Sequence, residues 1–232
     1  MTSRARRGPY AVCVPGPVVP VSTDSPFVTF IVLLTVAANA ATVALWALAA
    51  ASLVSAGARR ALGPARDELG RSGLALAALV AAIATLSSLW LSEGLGFVPC
   101  RLCWFQRTLI YPLAVVLVIA AVRRDWGARP YALALALLAA PVSIYHYVEQ
   151  AFPDLGAGAC DPTAPCSFRW VWELGYISIP WMALSTSVLV ITLLGLARPD
   201  DPARGASGRD DDEEHAAATA VDGVGASTGR AR

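Results

Sequence analysis

Two pairs of closely spaced cysteines are the residues best suited to chemistry in this chain. Cys100 and Cys103 lie in GFVPCRLCWFQRTLIYP, residues 96–112, and Cys160 and Cys166 bound the stretch CDPTAPC. Close pairs serve as disulfides, metal ligands or redox dithiols, and the compartment decides among them. In a C-x-x-C pair one thiolate attacks and the other resolves, with only a small ring to close. A cysteine in the first turn of a helix meets unpaired N–H groups and the positive end of the dipole, which favour its thiolate. If a helix begins near Cys103, Arg107 follows four residues later on the same face, where it could stabilise a thiolate or an anionic ligand. The plainer reading is a snorkelling arginine beside a structural disulfide. Around the second pair, Gly156, Gly158, Pro162 and Pro165 predict a non-helical, mobile segment. A disulfide closed there is open to an attacking thiolate. Cys13 stands alone near the amino terminus and has no evident partner.

The elements that position these pairs follow from composition. Of 232 residues, 56% are hydrophobic and 15% charged, well below the roughly 25% charged of soluble domains, and mean hydropathy is strongly positive. These values predict an all-α integral membrane protein. The net charge of +1 gives no electrostatic footing for nucleic acid, and the lipid bilayer is the first partner expected. Five charge-free apolar runs cover about residues 27–54, 74–91, 108–122, 131–148 and 176–197. A span needs about 17–20 apolar residues, so the third run reaches that length only if its helix starts near Cys103. That start puts Arg107 just inside the membrane edge, where an arginine usually marks a site.

Arginine counts in the connecting loops set a direction. Arg59, Arg60, Arg66 and Arg71 follow the first span, and Arg123, Arg124 and Arg129 follow the third. The loops carrying the two cysteine pairs hold only Arg101 and Arg169, and the tail returns to Arg198, Arg204 and Arg209. Both pairs are therefore expected on the extracytoplasmic side of the cell membrane, where disulfides persist. Arg4, Arg6 and Arg7 disagree with that orientation, as if the first span were atypical or translation began further on. Residues 1–26 read as a disordered arm, 27–57 as an additional amino-terminal transmembrane helix, 72–197 as a four-helix redox domain and 198–232 as a disordered cytoplasmic tail.

Two dithiol pairs on one side, one mobile and one at a helix mouth, suggest a relay carrying two electrons from a soluble thiol partner. The relay stops unless its last acceptor is something other than a thiol, and the natural two-electron acceptor in a membrane is a quinone. The stretches PCRLCWFQRTLIYP, SIYHYVEQ, CDPTAPC and GYISIPWMALS together resemble the DsbB/BdbC family of disulfide bond formation proteins, from about Leu74 to Ala197. The resemblance implies a DsbB-like four-helix bundle that reoxidises a thioredoxin-fold, DsbA/BdbD-like thiol oxidase and reduces ubiquinone or menaquinone. By position it makes Cys100 and Cys103 the quinone-side pair, with Cys103 at the quinone and Arg107 the quinone-site arginine. It makes Cys160 and Cys166 the pair that exchanges with the partner, with Cys160 as the site of the mixed disulfide. The first span and both tails fall outside the family pattern.

His146 lies near the end of the fourth run. Quinone reduction consumes protons, so an imidazole there could deliver them or bond a quinone oxygen; the plain alternative is a histidine bonded between helices. Tyr111, Pro112, Pro141 and Pro180 read as packing and kinks, and Trp170, Trp172 and Tyr176 as an interfacial belt. Three rival readings remain. A vitamin K epoxide reductase-like enzyme shares the bundle, the quinone and the C-x-x-C, but its active pair is expected nearer the chain's end. A four-cysteine zinc site predicts stoichiometric zinc and no quinone chemistry. The third is a membrane subunit with two inert disulfides.

Overall fold

The computed structural model describes residues 25–152 and 165–197. Cys13, Cys160, the amino-terminal arginines and the tail lie outside the described residues. Among the described residues six α-helices follow in order: α1 Pro26–Val54, α2 Ala56–Ala61, α3 Gly63–Leu89, α4 Arg101–Arg123, α5 Arg129–Ala151 and α6 Ile179–Leu196. A π-helical turn, Trp90–Gly94, extends α3, and a 3₁₀ turn, Trp126–Ala128, leads into α5. Five of the helical segments are long and apolar enough to cross a membrane, so the chain is an all-α, multi-pass membrane protein.

Helices α3 to α6 form a ring: α3 packs on α4 and α6, and α5 packs on the same two. The ring's core pairs small residues with large ones. Ala77, Ala81, Ala132 and Ala136 are fully buried beside Leu113, Leu117, Val190 and Leu194. In lipid, where apolar side chains gain little by leaving the surroundings, small residues hold helices together by letting them approach closely. Gly73 marks the tightest approach. A Cβ added there would stand 2.9 Å from the Ala197 Cβ and 3.1 Å from the Leu193 carbonyl oxygen. Gly73→Val is therefore expected to lower stability by about 1–3 kcal/mol, read as an earlier thermal unfolding midpoint in detergent.

Helix α1 lies outside the ring, against α6. Its amino-terminal part joins a second core in which Val28, Ile31 and Val32 meet Leu91, Phe97, Val171 and Ile177. At the opposite end Arg66 of α3 donates to the Ser52 hydroxyl (3.0 Å) and Arg59 to the Ser52 carbonyl (3.2 Å). Cations there offset the negative end of the α1 dipole.

Helix boundaries depart from the apolar runs where polar residues continue a helix or a turn delays one. Helix α3 begins at Gly63 and carries Arg66, Asp67, Glu68 and Arg71 in its first turns. Helix α4 begins at Arg101, two residues before Cys103. Helix α6 begins at Ile179 and not Tyr176, because residues 173–177 close a turn bridged between Glu173 and Ile177, with Gly175 at φ +77°. Pro180 thus sits in the first turn of α6, where its missing N–H goes unneeded, and makes no kink. Pro112 and Pro141 do lie inside helices.

Candidate functional site

The chain leaves the π-helical turn, reverses at Gly96 (φ +71°) and enters α4 with Cys100 as its N-cap. A positive φ strains any side-chain-bearing residue, which accounts for glycine at the reversal. The Cys100 sulfur accepts a hydrogen bond from the Cys103 N–H at 3.3 Å, taking the place of the usual capping oxygen. It also lies 3.1 Å from the Cys103 sulfur in the dithiol form of the pair. Cys103 therefore occupies the first turn of α4, and Arg107 follows one turn below.

The two sulfurs have different surroundings. Cys100 is buried, 6% exposed, and its thiol interacts electrostatically with that of Cys166. The segment after Cys166 is tied to the end of α5: Gln150 donates to the Phe168 carbonyl (3.0 Å), and Arg169 donates through Nε to the Gln150 carbonyl (2.9 Å). Arg169 also stacks over the Trp172 ring at 4.0 Å. Cys103, in contrast, lines a cavity of about 200 Å³ together with Arg107, Tyr111, Ser87, Ser88 and otherwise mostly apolar side chains. Trp170 lines it too and stacks on Phe97, with centroids 5.0 Å apart. This tryptophan is thus part of a cavity wall and not only of an interfacial belt.

Arg107 is held from α3. Its Nε donates to the Ser88 hydroxyl (3.2 Å), and its Nη2 donates to the Ser88 carbonyl (2.9 Å) and the Ser92 hydroxyl (3.0 Å). Tyr111 donates to the same Ser88 hydroxyl at 3.2 Å. The guanidinium lies over the Trp104 and Tyr111 rings, 5.3 and 5.9 Å from their centroids, within cation–π range. None of the three hydrogen bonds uses Nη1.

His146 is 1% exposed and faces Cys100, with Nε2 3.5 Å from its sulfur; it is not among the residues that line the cavity. A buried chain of bonds fixes its tautomer. Ser143 donates to the Ala139 carbonyl (2.9 Å), so its oxygen accepts from the Gln106 amide nitrogen (3.0 Å). The Gln106 oxygen is then left to face His146 Nδ1 at 3.3 Å, which places the ring proton on Nδ1 and an acceptor lone pair on Nε2. The Cys100 thiol is pushed up to about 12, chiefly by its hydrogen bond with the Cys103 sulfur, with burial adding and the Cys166 interaction opposing. Cys166 is also raised, first by its interaction with Cys100 and then by burial. Both thiols hold their protons at neutral pH in this form.

The ligand atoms of Cys100, Cys103 and His146 all lie within 4.8 Å of one another, a spacing that could also hold a thiophilic metal. The cavity fits a different guest. Its lining is mostly apolar, with Arg107, Tyr111 and Ser88 bonded into one polar cluster, the pattern of a small-molecule site. An apolar cavity of roughly 150 Å³ accepts a benzene-sized ring, so this one has room for a quinone ring. Sequence reasoning did not single out Ser88, Ser92, Gln106 or Ser143, and it read Trp170 only as part of an interfacial belt. Its available signal was polar side chains inside otherwise apolar spans.

The comparisons with known proteins agree with this architecture. The family model described as "Disulfide bond formation protein DsbB" matches residues 70–197. Disulfide bond formation protein C of Bacillus subtilis (strain 168) is 41% identical over 121 residues, covering 52% of this chain and 88% of the relative. A probable disulfide formation protein C 1 of Bacillus anthracis is 42% identical over 103 residues, 44% of this chain and 74% of the relative. A probable disulfide formation protein of Coxiella burnetii (strain CbuK_Q154) is 40% identical over 121 residues, 51% of this chain and 82% of the relative. No solved structure matches the chain. With a family match spanning more than half of its length and relatives of this kind, the chain belongs to the DsbB family of disulfide bond formation proteins.

Proposed function

We propose that this protein is a thiol:quinone oxidoreductase of the cell membrane, with both cysteine pairs on the extracytoplasmic side. It reoxidises a thioredoxin-fold thiol oxidase of the DsbA/BdbD kind and so supports disulfide formation in extracytoplasmic proteins. The observation that carries the reading is the division of the C-x-x-C pair: Cys100 meets the loop cysteine Cys166, while Cys103 meets the cavity that also holds Arg107.

The thiol steps balance as follows. A partner thiolate attacks Cys160 of a Cys160–Cys166 disulfide, and Cys166 leaves as thiolate. The partner's second thiolate resolves the mixed disulfide, releasing Cys160 and the oxidised partner. Cys166 then attacks the Cys100 sulfur of a Cys100–Cys103 disulfide, and Cys103 leaves. Cys160 attacks Cys166, the loop disulfide re-forms, and two electrons rest on Cys100 and Cys103. When the reduced pair is reoxidised, the His146 Nε2 lone pair, 3.5 Å from the Cys100 sulfur, accepts the Cys100 thiol proton. A quinone bound in the cavity would supply a two-electron, two-proton acceptor. Ser88, Ser92 and Tyr111 hold Arg107 beside Cys103, where its charge favours the thiolate and an anionic oxygen at the cavity's polar cluster.

The test is turnover by the purified full-length chain with a reduced thioredoxin-fold partner and a short-chain quinone, followed by quinone absorbance. Turnover is expected in the wild type and absent in Cys166→Ser; His146→Phe should slow it by about 10²-fold. No turnover with several quinones, together with one tightly bound zinc per chain, would replace this reading with a metal site.

A further inference from the structure

We propose that helix α1, which lies beyond the four-helix ring, is a wall of the acceptor site and sets how tightly a quinone is bound. This inference rests on the quinone reading given above. Ile31, Leu34, Thr35 and Ala38 recur at helical spacing and line the same cavity as Cys103 and Arg107. On the other side of α1, Phe30, Leu33 and Val43 are more than half exposed. One face of the helix is thus the cavity's wall and the other is free for lipid.

The wall is fixed at three levels. At the cysteine end, Phe27 packs on Trp90 of the π-helical turn, centroids 5.9 Å apart, and Val28, Ile31 and Val32 are buried against Leu91 and Phe97. Midway, Trp46 donates to the Thr192 hydroxyl of α6 at 3.1 Å. At the far end, Arg66 of α3 bonds Ser52. Helix α1 therefore bridges α3 and α6, and residues of those two helices (Val80, Ile83, Ala84, Met182, Thr186) form the neighbouring walls. Without α1 the cavity would lose one side between α3 and α6. Ala38 is the smallest side chain that α1 contributes to the lining, so it is where added bulk takes room directly from a guest. The Thr35 hydroxyl is already spent on the Ile31 carbonyl at 2.8 Å, so this wall adds shape and not a further hydrogen-bond donor.

The test uses the full-length chain in lipid nanodiscs and reads quinone binding directly, by quenching of tryptophan fluorescence with a short-chain ubiquinone. Ala38→Trp is expected to weaken binding about tenfold or more, since overpacking a filled cavity is strongly unfavourable. Val43→Trp, which adds the same bulk on the lipid face, should leave binding unchanged. Formation of the mixed disulfide with the partner should keep its wild-type rate in both, which also shows that both are folded. In the unaltered chain, a photoreactive azido-quinone should label the peptide containing residues 31–38. Wild-type affinity in Ala38→Trp, or labelling confined to α3, α4 and α6, would overturn the role of α1 and leave the quinone reading standing. No binding or labelling in the wild type at all would overturn both.

Discussion

Cys103→Ser is expected to halt the protein with Cys100 bonded to Cys166 and to reduce quinone turnover by roughly 10³-fold or more, as loss of an essential nucleophile does. In the intact chain the Cys100 sulfur has two thiol neighbours: Cys103 at 3.1 Å and Cys166 across from it. Removing Cys103 leaves Cys100 one partner, and the bond it forms cannot be displaced from the α4 side. Only Cys160 could then open it. The bridge is read by non-reducing digestion and mass spectrometry of the protein isolated from cells. A peptide pair joining the regions of Cys100 and Cys166 is the expected product. If Cys103→Ser turned over normally, Cys103 would have no part in passing electrons on. A bridge from Cys100 to Cys160 instead would reverse the order assigned to the loop pair.

Arg107→Ala should raise the apparent KM for quinone by about 10- to 100-fold, the loss of a charge-assisted bond of about 1.5–3 kcal/mol, while mixed-disulfide formation with the partner stays within about twofold of wild type. The split follows from where Arg107 stands. It lines the cavity, whereas Cys166 interacts with Cys100 and is not among the lining residues. Arg107→Lys should fall between. A single ammonium has no planar fork with which to hold the Ser88 carbonyl, the Ser88 hydroxyl and the Ser92 hydroxyl together. Steady-state kinetics in quinone, beside stopped-flow exchange with the reduced partner, separate the two effects. Equal losses in both would mean that Arg107 supports the helix packing and not the acceptor.

Much of this architecture is legible in the residues because lipid imposes strict requirements. A membrane span must be long, apolar and internally hydrogen-bonded, so five charge-free runs mark five crossing helices. The place of Arg107 one turn below Cys103 follows from helical spacing once a helix starts near the pair. Helix ends are less visible. Arg66, Asp67, Glu68 and Arg71 end an apolar run but do not end α3, since polar residues favour a helix that emerges from lipid. The polar framework of the site was harder still. Ser88, Ser92 and Ser143 are small side chains of a kind common on any membrane helix, and their meaning appears only when α3 is laid beside α4, and α4 beside α5. Gln106 was hidden by its neighbour: beside an intramembrane arginine, a buried amide attracts no notice until a histidine from α5 is found 3.3 Å away. Trp170 and α1 share a different difficulty. Apolar groups carry no directional signal, so their sequence announces burial or membrane contact but not which cavity they enclose.

The opposite outlooks of Cys100 and Cys103 also bear on electrical insulation. On the proposed reading the protein joins thiols in water to an oxidant dissolved in lipid, and the two would waste electrons if they met freely. Here the junction narrows to Cys100, 6% exposed, whose sulfur lies 3.1 Å from that of Cys103 and interacts with the Cys166 thiol. On the cavity wall, Phe97 and Trp170 stack face to face and cover part of the approach to Cys103. Such a junction behaves as a fuse holder that accepts one shape of fuse. On that reading current passes when the loop pair closes the gap, and the burial of Cys100 holds off stray reductants.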